Sequence, residues 1–134
     1  MMQAAPSYGF APVEIYEFLE DRIEAALAAG IPRERIAVDP GFGFGKTVQH
    51  NLALVNFAAM FHGLGVPVLI GVSRKSSIAA MSSGEDSDNR LAGSLGLAMA
   101  TVVQGCQLLR VHDVAETRQA LAIQTALAGG ADAG

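Results

Sequence analysis

Basic side chains in this chain are concentrated at the ends of three short apolar runs, although acidic residues outnumber basic ones by 13 to 9. The runs cover residues 36–39, 67–72 and 107–111. Four of the nine basic residues lie at or just after their carboxyl ends: Lys46, Arg74, Lys75 and Arg110. In parallel α/β folds the carboxyl ends of the strands share one edge of the sheet, and ligands bind there. The distribution therefore indicates an anionic ligand at that edge.

Arg110 and His112 are the clearest candidates for binding an anion. They alternate around Val111, so an extended backbone places both side chains on the same side. A guanidinium fork beside an imidazole suits a phosphate or pyrophosphate group, although a single histidine is usually structural. Arg74 and Lys75 are consecutive, so their side chains should diverge. We expect one of them to contact ligand and the other to form a surface salt bridge.

Asp39 ends the first apolar run. A carboxylate at this position is costly to bury unless a donor hydrogen-bonds to it. It could accept two parallel N–H bonds from an amino-heterocycle, or it could simply cap the loop that follows. The residues alone leave both alternatives open.

The glycine-rich segment Pro40–Thr47 does not fit a nucleotide-binding loop. A P-loop needs a glycine five residues before the glycine of its Gly-Lys-Thr, and that position is Pro40. The three alternating glycines also lack the three-residue step of the dinucleotide fingerprint. They would instead let the backbone approach a flat ligand while Phe42 or Phe44 packs nearby, or they form only a tight structural turn.

The remaining histidines and the cysteine indicate structural roles. We expect His50 and His62 to lie on a helix surface or to cap a helix. Cys106 is expected to be a small core residue, because no base adjacent to it would activate a nucleophile. A single cysteine also excludes a disulfide framework and a cysteine-based zinc site.

The hydrophobic pattern alternates between strand and helix along the chain. It predicts helices over residues 13–27, 52–61, 91–103 and 114–127 around the three apolar strands, with a frayed tail over 128–134. Strands that alternate with helices predict parallel βα units, and near-continuous apolar strands agree with burial on both faces. A closed eight-unit barrel needs about 250 residues. The sequence therefore predicts an α/β fold that is a small open sheet or part of a (β/α)8 barrel.

Composition fits a single packed domain over residues 1–134. Hydrophobic residues make up 51% and charged residues 16%, which excludes a disordered chain. The net charge of −4 argues against nucleic-acid binding. No apolar stretch approaches the roughly 18 residues of a membrane span, and the first residues lack a signal-peptide pattern. We expect a cytoplasmic protein.

Five short motifs occur in an order that resembles one enzyme family. They are Asp39–Lys46 (DPGFGFGK), His50–Leu52, Ser73–Ser76 (SRKS), Arg90–Leu95 (RLAGSL) and Arg110–Val114 (RVHDV). Together they resemble the carboxyl-terminal half of dihydropteroate synthase over about residues 2–127. The resemblance implies strands six to eight of a (β/α)8 barrel. It also implies an activity that joins 6-hydroxymethyl-7,8-dihydropterin pyrophosphate to 4-aminobenzoate, with Mg²⁺.

The resemblance also implies roles for single residues. Asp39, Lys75, Gly43 and Phe44 would bind the pterin. Lys75, Ser76 and Phe44 would line the 4-aminobenzoate site, where sulfonamide inhibitors also bind. Arg110 and His112 would hold the pyrophosphate. The magnesium ligand is expected outside this chain, and the complete enzyme is expected to be a homodimer.

Two other functions remain open at this level: a pterin-dependent methyltransferase barrel and a non-catalytic pterin-binding module. Arg110 and His112 favour the synthase, because methyl transfer has no pyrophosphate to hold. Three strands leave open edges and an uncovered apolar face. We therefore expect the 134-residue chain alone to associate with itself and to lack useful activity.

Overall fold

The computed structural model describes residues 11–42 and 47–133. The three apolar segments lie side by side and run parallel, as predicted. Strand β1 (Leu69–Ile70) pairs with β2 (Leu108–Leu109), and an isolated parallel bridge joins Val38 to Val68 on the other side of β1. The first, second and third segments therefore occupy adjacent places in the order in which they follow along the chain.

The strands are shorter than the sequence predicts, and one side chain explains part of the difference. The Val68 N–H donates to the side-chain Oε1 of Gln107 at 2.9 Å, where a longer ladder would use a backbone carbonyl. Regular pairing therefore begins one residue later, at Leu69 and Leu108. The predicted first strand, residues 36–39, is reduced to the bridge at Val38.

In the described part of the chain, five α-helices connect and flank these segments: α1 (Ala11–Ala28), α2 (Val48–Asn56), α3 (Ser76–Met81), α4 (Leu91–Val103) and α5 (Val114–Ala133). Helix α4 has the predicted bounds. The helix predicted over 52–61 is wrong in its limits: α2 begins earlier, and a 3-10 helix over Ala58–Leu64 follows it. Helix α3 was not predicted. Helix α5 continues to Ala133, through most of the tail expected to fray, although Gly129 and Gly130 lie within it.

A capping box explains why α2 begins earlier than its apolar pattern indicates. The Thr47 side chain accepts the backbone N–H of His50 at 3.1 Å, and His50 Nδ1 accepts the backbone N–H of Thr47 at 3.3 Å. Two backbone donors at the helix start are thereby satisfied. The predicted capping role of His50 is confirmed.

The core lies between the helices and the parallel segments. Side chains from α1, α2, the 3-10 helix and the apolar segment that contains β1 contribute to it, including Ile15, Leu54, Phe61, Val68 and Ile70. Cys106 belongs to the same core, with 8% of its surface exposed. Burial raises the pKa of its thiol, which disfavours the reactive thiolate and confirms the predicted structural role.

The turn that leads into β2 is tied to the preceding unit by side chains. Gln104 Nε2 donates to the carbonyl of Val55, and Gln104 Oε1 accepts the N–H of Ala59 at 2.9 Å. The His62 Nε2 lies 2.8 Å from the carbonyl oxygen of Gln104. The next residue, Gly105, has a φ of +86° and brings its backbone against the His62 ring. The start of β2 is therefore held by bonds from α2 and the 3-10 helix.

Several large apolar side chains remain exposed, among them Leu108 on β2 at 41%. Within the described ranges, none of the helices combines the length and the hydropathy needed to cross a lipid bilayer.

Candidate functional site

A cavity of about 510 Å³ lies at the carboxyl ends of the parallel segments, a size typical of small-molecule sites. Residues after β1 and β2 supply most of its wall. The lining residues are Gly71, Ser73, Arg74, Lys75, Ser87, Arg110, Val111 and His112. Three of these carry a permanent or ordinarily positive side chain, and no carboxylate is among them.

Arg110 lies directly after β2 and packs its guanidinium against the backbone of Gly71. A Cβ added at Gly71 would lie 3.0 Å from Arg110 Nη2 and 3.2 Å from Nε. The Arg110 backbone N–H donates to the carbonyl of Ile70 at 2.9 Å, which continues the parallel pairing. Within residues 11–42 and 47–133, its guanidinium has no hydrogen-bond acceptor. The fork is therefore positioned at the cavity with its donors available.

His112 is held by the hydroxyl of Ser73. Ser73 Oγ accepts the backbone N–H of His112 at 3.2 Å and lies 2.9 Å from His112 Nδ1. Ser73 is buried, with 7% of its surface exposed. The pair joins the loop after β1 to the loop after β2, so Arg110 and His112 line the same cavity although His112 lies beyond the last backbone bond of the parallel pairing.

Lys75 lies in a positive environment. Partial burial lowers the pKa of its ammonium, the nearby positive charge of Arg110 lowers it further, and the carboxylate of Asp39 opposes the shift. Two cations that repel one another at a cavity wall are stabilised by an anion placed between them. This supports the expectation of an anionic ligand.

Arg74 adopts an unusual backbone conformation with a φ of +56°. Its N–H donates to Ser94 Oγ at 2.8 Å, its carbonyl accepts from Arg90 Nη1 at 3.1 Å, and its guanidinium pairs with Asp113 at 2.9 Å. These contacts hold a left-handed residue that is costly for a side chain with a Cβ. The predicted salt bridge beside Lys75 is present.

Both Arg74 and Lys75 line the cavity, so the expectation that only one of them faces it is wrong. Their charged groups nevertheless meet different partners: Arg74 pairs with Asp113, whereas Lys75 is affected by Arg110 and Asp39. Consecutive side chains point apart in an extended chain. The left-handed backbone at Arg74 changes the direction of the chain at this point and places both residues on the cavity wall.

Asp39 lies next to the bridge at Val38, on the same edge, and its charge acts on Lys75. Its Oδ1 accepts the N–H of Gly41 at 2.8 Å, so the carboxylate caps the turn that follows. The side chain is exposed, and its second oxygen has no partner in the part of the chain that the structure describes. Capping and ligand binding, which the sequence left as alternatives, are therefore compatible.

Asp39 does not itself line the cavity, and the remaining predicted site residues lie outside its wall or outside the described chain. Ser76 is exposed as the first residue of α3 and does not line the cavity. Gly43 and Phe44 fall in the segment 43–46, which lies outside the described residues. Across residues 11–42 and 47–133, no cluster of three or more His, Cys, Asp or Glu side chains is placed to hold a metal ion.

Sequence reasoning missed how four residues support the site. Gly71 gives Arg110 room, Ser73 holds His112, and Ser94 with Arg90 holds the backbone of Arg74. A glycine at the end of an apolar strand was the only usable signal, because it often marks close approach of another group. The serine and arginine contacts span separations of 16 to 39 residues and leave no local pattern.

The fold, with a cavity at the carboxyl ends of parallel segments, is that of part of a (β/α)8 barrel. Residues 1–112 match the family of pterin binding enzymes, and the chain belongs to that family. It is 41% identical over 122 residues to dihydropteroate synthase of Escherichia coli (strain K12), which covers 91% of this chain and 43% of the relative. It is 43% identical over 129 residues to dihydropteroate synthase of Neisseria meningitidis serogroup B, which covers 94% and 45%.

Solved structures give the same result. Dihydropteroate synthase from Stenotrophomonas maltophilia superposes with a TM-score of 0.91 at 40% identity, over 95% of this chain and 48% of the other. The enzyme from Xanthomonas albilineans, in complex with 7,8-dihydropteroate, gives a TM-score of 0.90 at 43% identity, over 93% and 48%. The chain spans less than half the length of these relatives. The predicted resemblance to dihydropteroate synthase is confirmed, as is a fold that forms part of a (β/α)8 barrel.

Proposed function

We propose that this chain acts in a dihydropteroate synthase, which condenses 6-hydroxymethyl-7,8-dihydropterin pyrophosphate with 4-aminobenzoate and releases pyrophosphate. The observation that carries the proposal is the cavity wall on which Arg110, His112 and Lys75 meet without a carboxylate. Relatives above 40% identity bear the name dihydropteroate synthase. Related structures were solved with 7,8-dihydropteroate and with 4-aminobenzoic acid.

The proposed chemistry places the cations where charge develops. The amino nitrogen of 4-aminobenzoate forms a bond to the methylene carbon of the pterin, the C–O bond to pyrophosphate breaks, and the nitrogen loses a proton. Negative charge grows on the departing pyrophosphate as that bond lengthens. Arg110 and His112 would donate to its oxygens and stabilise the charge, while the pterin ring stabilises the developing carbocation.

Asp39 and Lys75 would recognise the pterin. The second oxygen of Asp39 is available to accept an N–H of the heterocycle, and Gly41 fixes the carboxylate in place. Gly43 and Phe44 would complete the pterin side. Ser76, Lys75 and Phe44 would contact 4-aminobenzoate, and a sulfonamide would bind in the same place. The structure of a related enzyme was solved as a sulfonamide drug complex.

The remaining parts of the proposal concern groups beyond this chain. Catalysis would use Mg²⁺ held by residues outside it, and no step above depends on the metal. The complete enzyme would be a cytoplasmic homodimer.

Calorimetry tests the proposal on the chain itself. The chain is titrated with 6-hydroxymethyl-7,8-dihydropterin pyrophosphate and with the corresponding alcohol, which lacks the pyrophosphate. We expect tighter binding of the pyrophosphate ester, because Arg110 and His112 contact only that part. Equal binding of the two compounds would reject the synthase and favour the pterin-dependent methyltransferase.

Turnover separates an enzyme from a binding module. The chain replaces the matching 122 residues of the Escherichia coli relative, and pyrophosphate release is followed with both substrates present. We expect release from the chimera and none from the 134-residue chain alone. A folded chimera that binds the pterin pyrophosphate without releasing pyrophosphate would favour the non-catalytic module.

A further inference from the structure

The Ser73 hydroxyl has one proton and two contacts, both with His112. The backbone N–H of His112 can only donate, so Ser73 Oγ accepts that bond at 3.2 Å. The second contact joins Oγ to His112 Nδ1 at 2.9 Å. Among the residues that the structure describes, Ser73 Oγ has no other acceptor for its own proton. Although Ser73 lines the cavity, only 7% of its surface is exposed, and donation to Nδ1 satisfies its proton within the described part of the chain.

We infer that Ser73 is a positioning residue that fixes the tautomer of His112. The hydroxyl donates to Nδ1, so in the neutral imidazole the proton resides on Nε2. The ring then presents an N–H donor at its far edge, and Nδ1 is occupied by the serine. This assignment depends on the geometry of the pair and on no ligand.

The tautomer matters for an anion site. An unprotonated Nε2 would turn a lone pair toward the oxygens of an anion, whereas Nε2–H donates to them. The two contacts also prevent the ring from rotating freely, because they fix the backbone and the near edge of the same residue. An anion then meets a donor that is already oriented, and binding loses less conformational entropy. This consequence rests on the proposed function; the tautomer itself does not.

Nitrogen NMR of ¹⁵N-histidine-labelled chain tests the assignment. The chain has three histidines, and the variant His112→Gln identifies the signals of His112. We expect the wild-type pattern of an Nε2–H imidazole. Ser73→Ala should move the His112 Nδ1 signal toward the averaged position of a solvent-exposed ring, and Ser73→Thr, which keeps the hydroxyl, should restore it.

Thr101→Val is the matched control, since it removes another buried hydroxyl, which donates to the carbonyl of Ala98 and has no contact with His112. It should leave the His112 signals unchanged. The signals of His50 and His62 report on the fold. If these signals shift in Ser73→Ala, the fold has changed, and the inference is then tested by Ser73→Thr. An Nδ1–H pattern in the wild type, unchanged signals in Ser73→Ala, or an altered pattern in Ser73→Thr overturns the inference.

Titration with inorganic pyrophosphate separates this inference from the proposed function. We expect Ser73→Ala to weaken binding about 2- to 12-fold, as expected for one hydrogen bond, and Ser73→Thr to bind as the wild type does. If the wild type keeps the Nε2–H pattern but binds no pyrophosphate, the anion site of the proposed function fails while the role of Ser73 in fixing the tautomer is supported.

Discussion

Replacement of Arg110 by alanine tests the cavity at its most exposed cation. In the wild type the guanidinium packs against Gly71 and has no acceptor among the described residues. It therefore forms no ion pair with the residues that the structure describes, and its loss should not disturb the fold. Arg110→Ala should weaken pyrophosphate binding while the unfolding midpoint in urea stays near that of the wild type.

The expected magnitude follows from the contact that is lost. A hydrogen-bonded contact to a charged group contributes about 1.5–3 kcal/mol, which corresponds to roughly 10- to 150-fold in affinity. Two features place the effect toward the lower end. Arg110 is exposed to solvent, which screens its charge. Burial and, after it, repulsion from Arg110 lower the pKa of Lys75, so removal of Arg110 favours the charged form of Lys75, which compensates in part.

Calorimetric titration with pyrophosphate measures the effect at low and at high salt. Arg110→Lys should give an intermediate affinity, because it keeps the charge but loses the bidentate fork. Arg22→Ala removes the same charge from the exposed surface of α1, away from the cavity, and should change affinity less than about twofold. An Arg110→Ala chain that binds pyrophosphate as tightly as Arg22→Ala at low salt would refute the assignment.

Gly71→Ala should weaken pyrophosphate binding about 2- to 10-fold, because the new Cβ would lie 3.0 Å from Arg110 Nη2 and displace the guanidinium from its rotamer. Gly96→Ala, where a Cβ meets nothing within 4 Å, is its control, and equal affinities would contradict the packing argument. Burial and the charge of Arg110 lower the pKa of Lys75. As the pH rises, pyrophosphate binding should therefore begin to weaken at a lower pH than it would if Lys75 had the ordinary lysine pKa. ¹³C NMR of the two lysine side chains follows the titration of Lys75. The pKa of Lys75 should rise in Arg110→Ala, and an unchanged pKa would argue against repulsion between the two side chains. Asp39→Asn should weaken calorimetric binding of the pterin pyrophosphate and leave inorganic pyrophosphate unaffected, and equal losses for both ligands would remove Asp39 from the pterin site.

The parallel order of the segments was predictable because it depends on local composition. Apolar runs that alternate with helical patterns determine which segments are buried strands, and the cations follow them in sequence. Helix α4 was predicted correctly because its apolar stretch of 13 residues is longer than a typical buried strand. The start of α2 was not, since it is set by the Thr47–His50 capping box rather than by hydrophobic spacing.

The detailed geometry of the site was not predictable from sequence spacing. The left-handed backbone of Arg74 depends on Ser94, Arg90 and Asp113, which are brought to it only by folding. The rule that consecutive side chains point to opposite sides assumes an extended backbone. Applied here, it wrongly predicts that only one of Arg74 and Lys75 faces the cavity. The contact between Ser73 and His112 likewise joins residues 39 positions apart.

The side-chain hydrogen bonds of Gln104 and Gln107 help to fix the register of β2 against β1, and with it the relative position of the two halves of the anion site. Only two residue pairs make up the β1–β2 ladder, so pairing alone specifies the alignment weakly. A slip of one position would move Arg110 by about 3.3 Å and turn its side chain to the opposite face. The Gln104 contacts to α2 and the 3-10 helix, with the Gln107 contact to Val68, oppose that slip. Two uncharged glutamines that do not line the cavity therefore help to determine the positions of its cations.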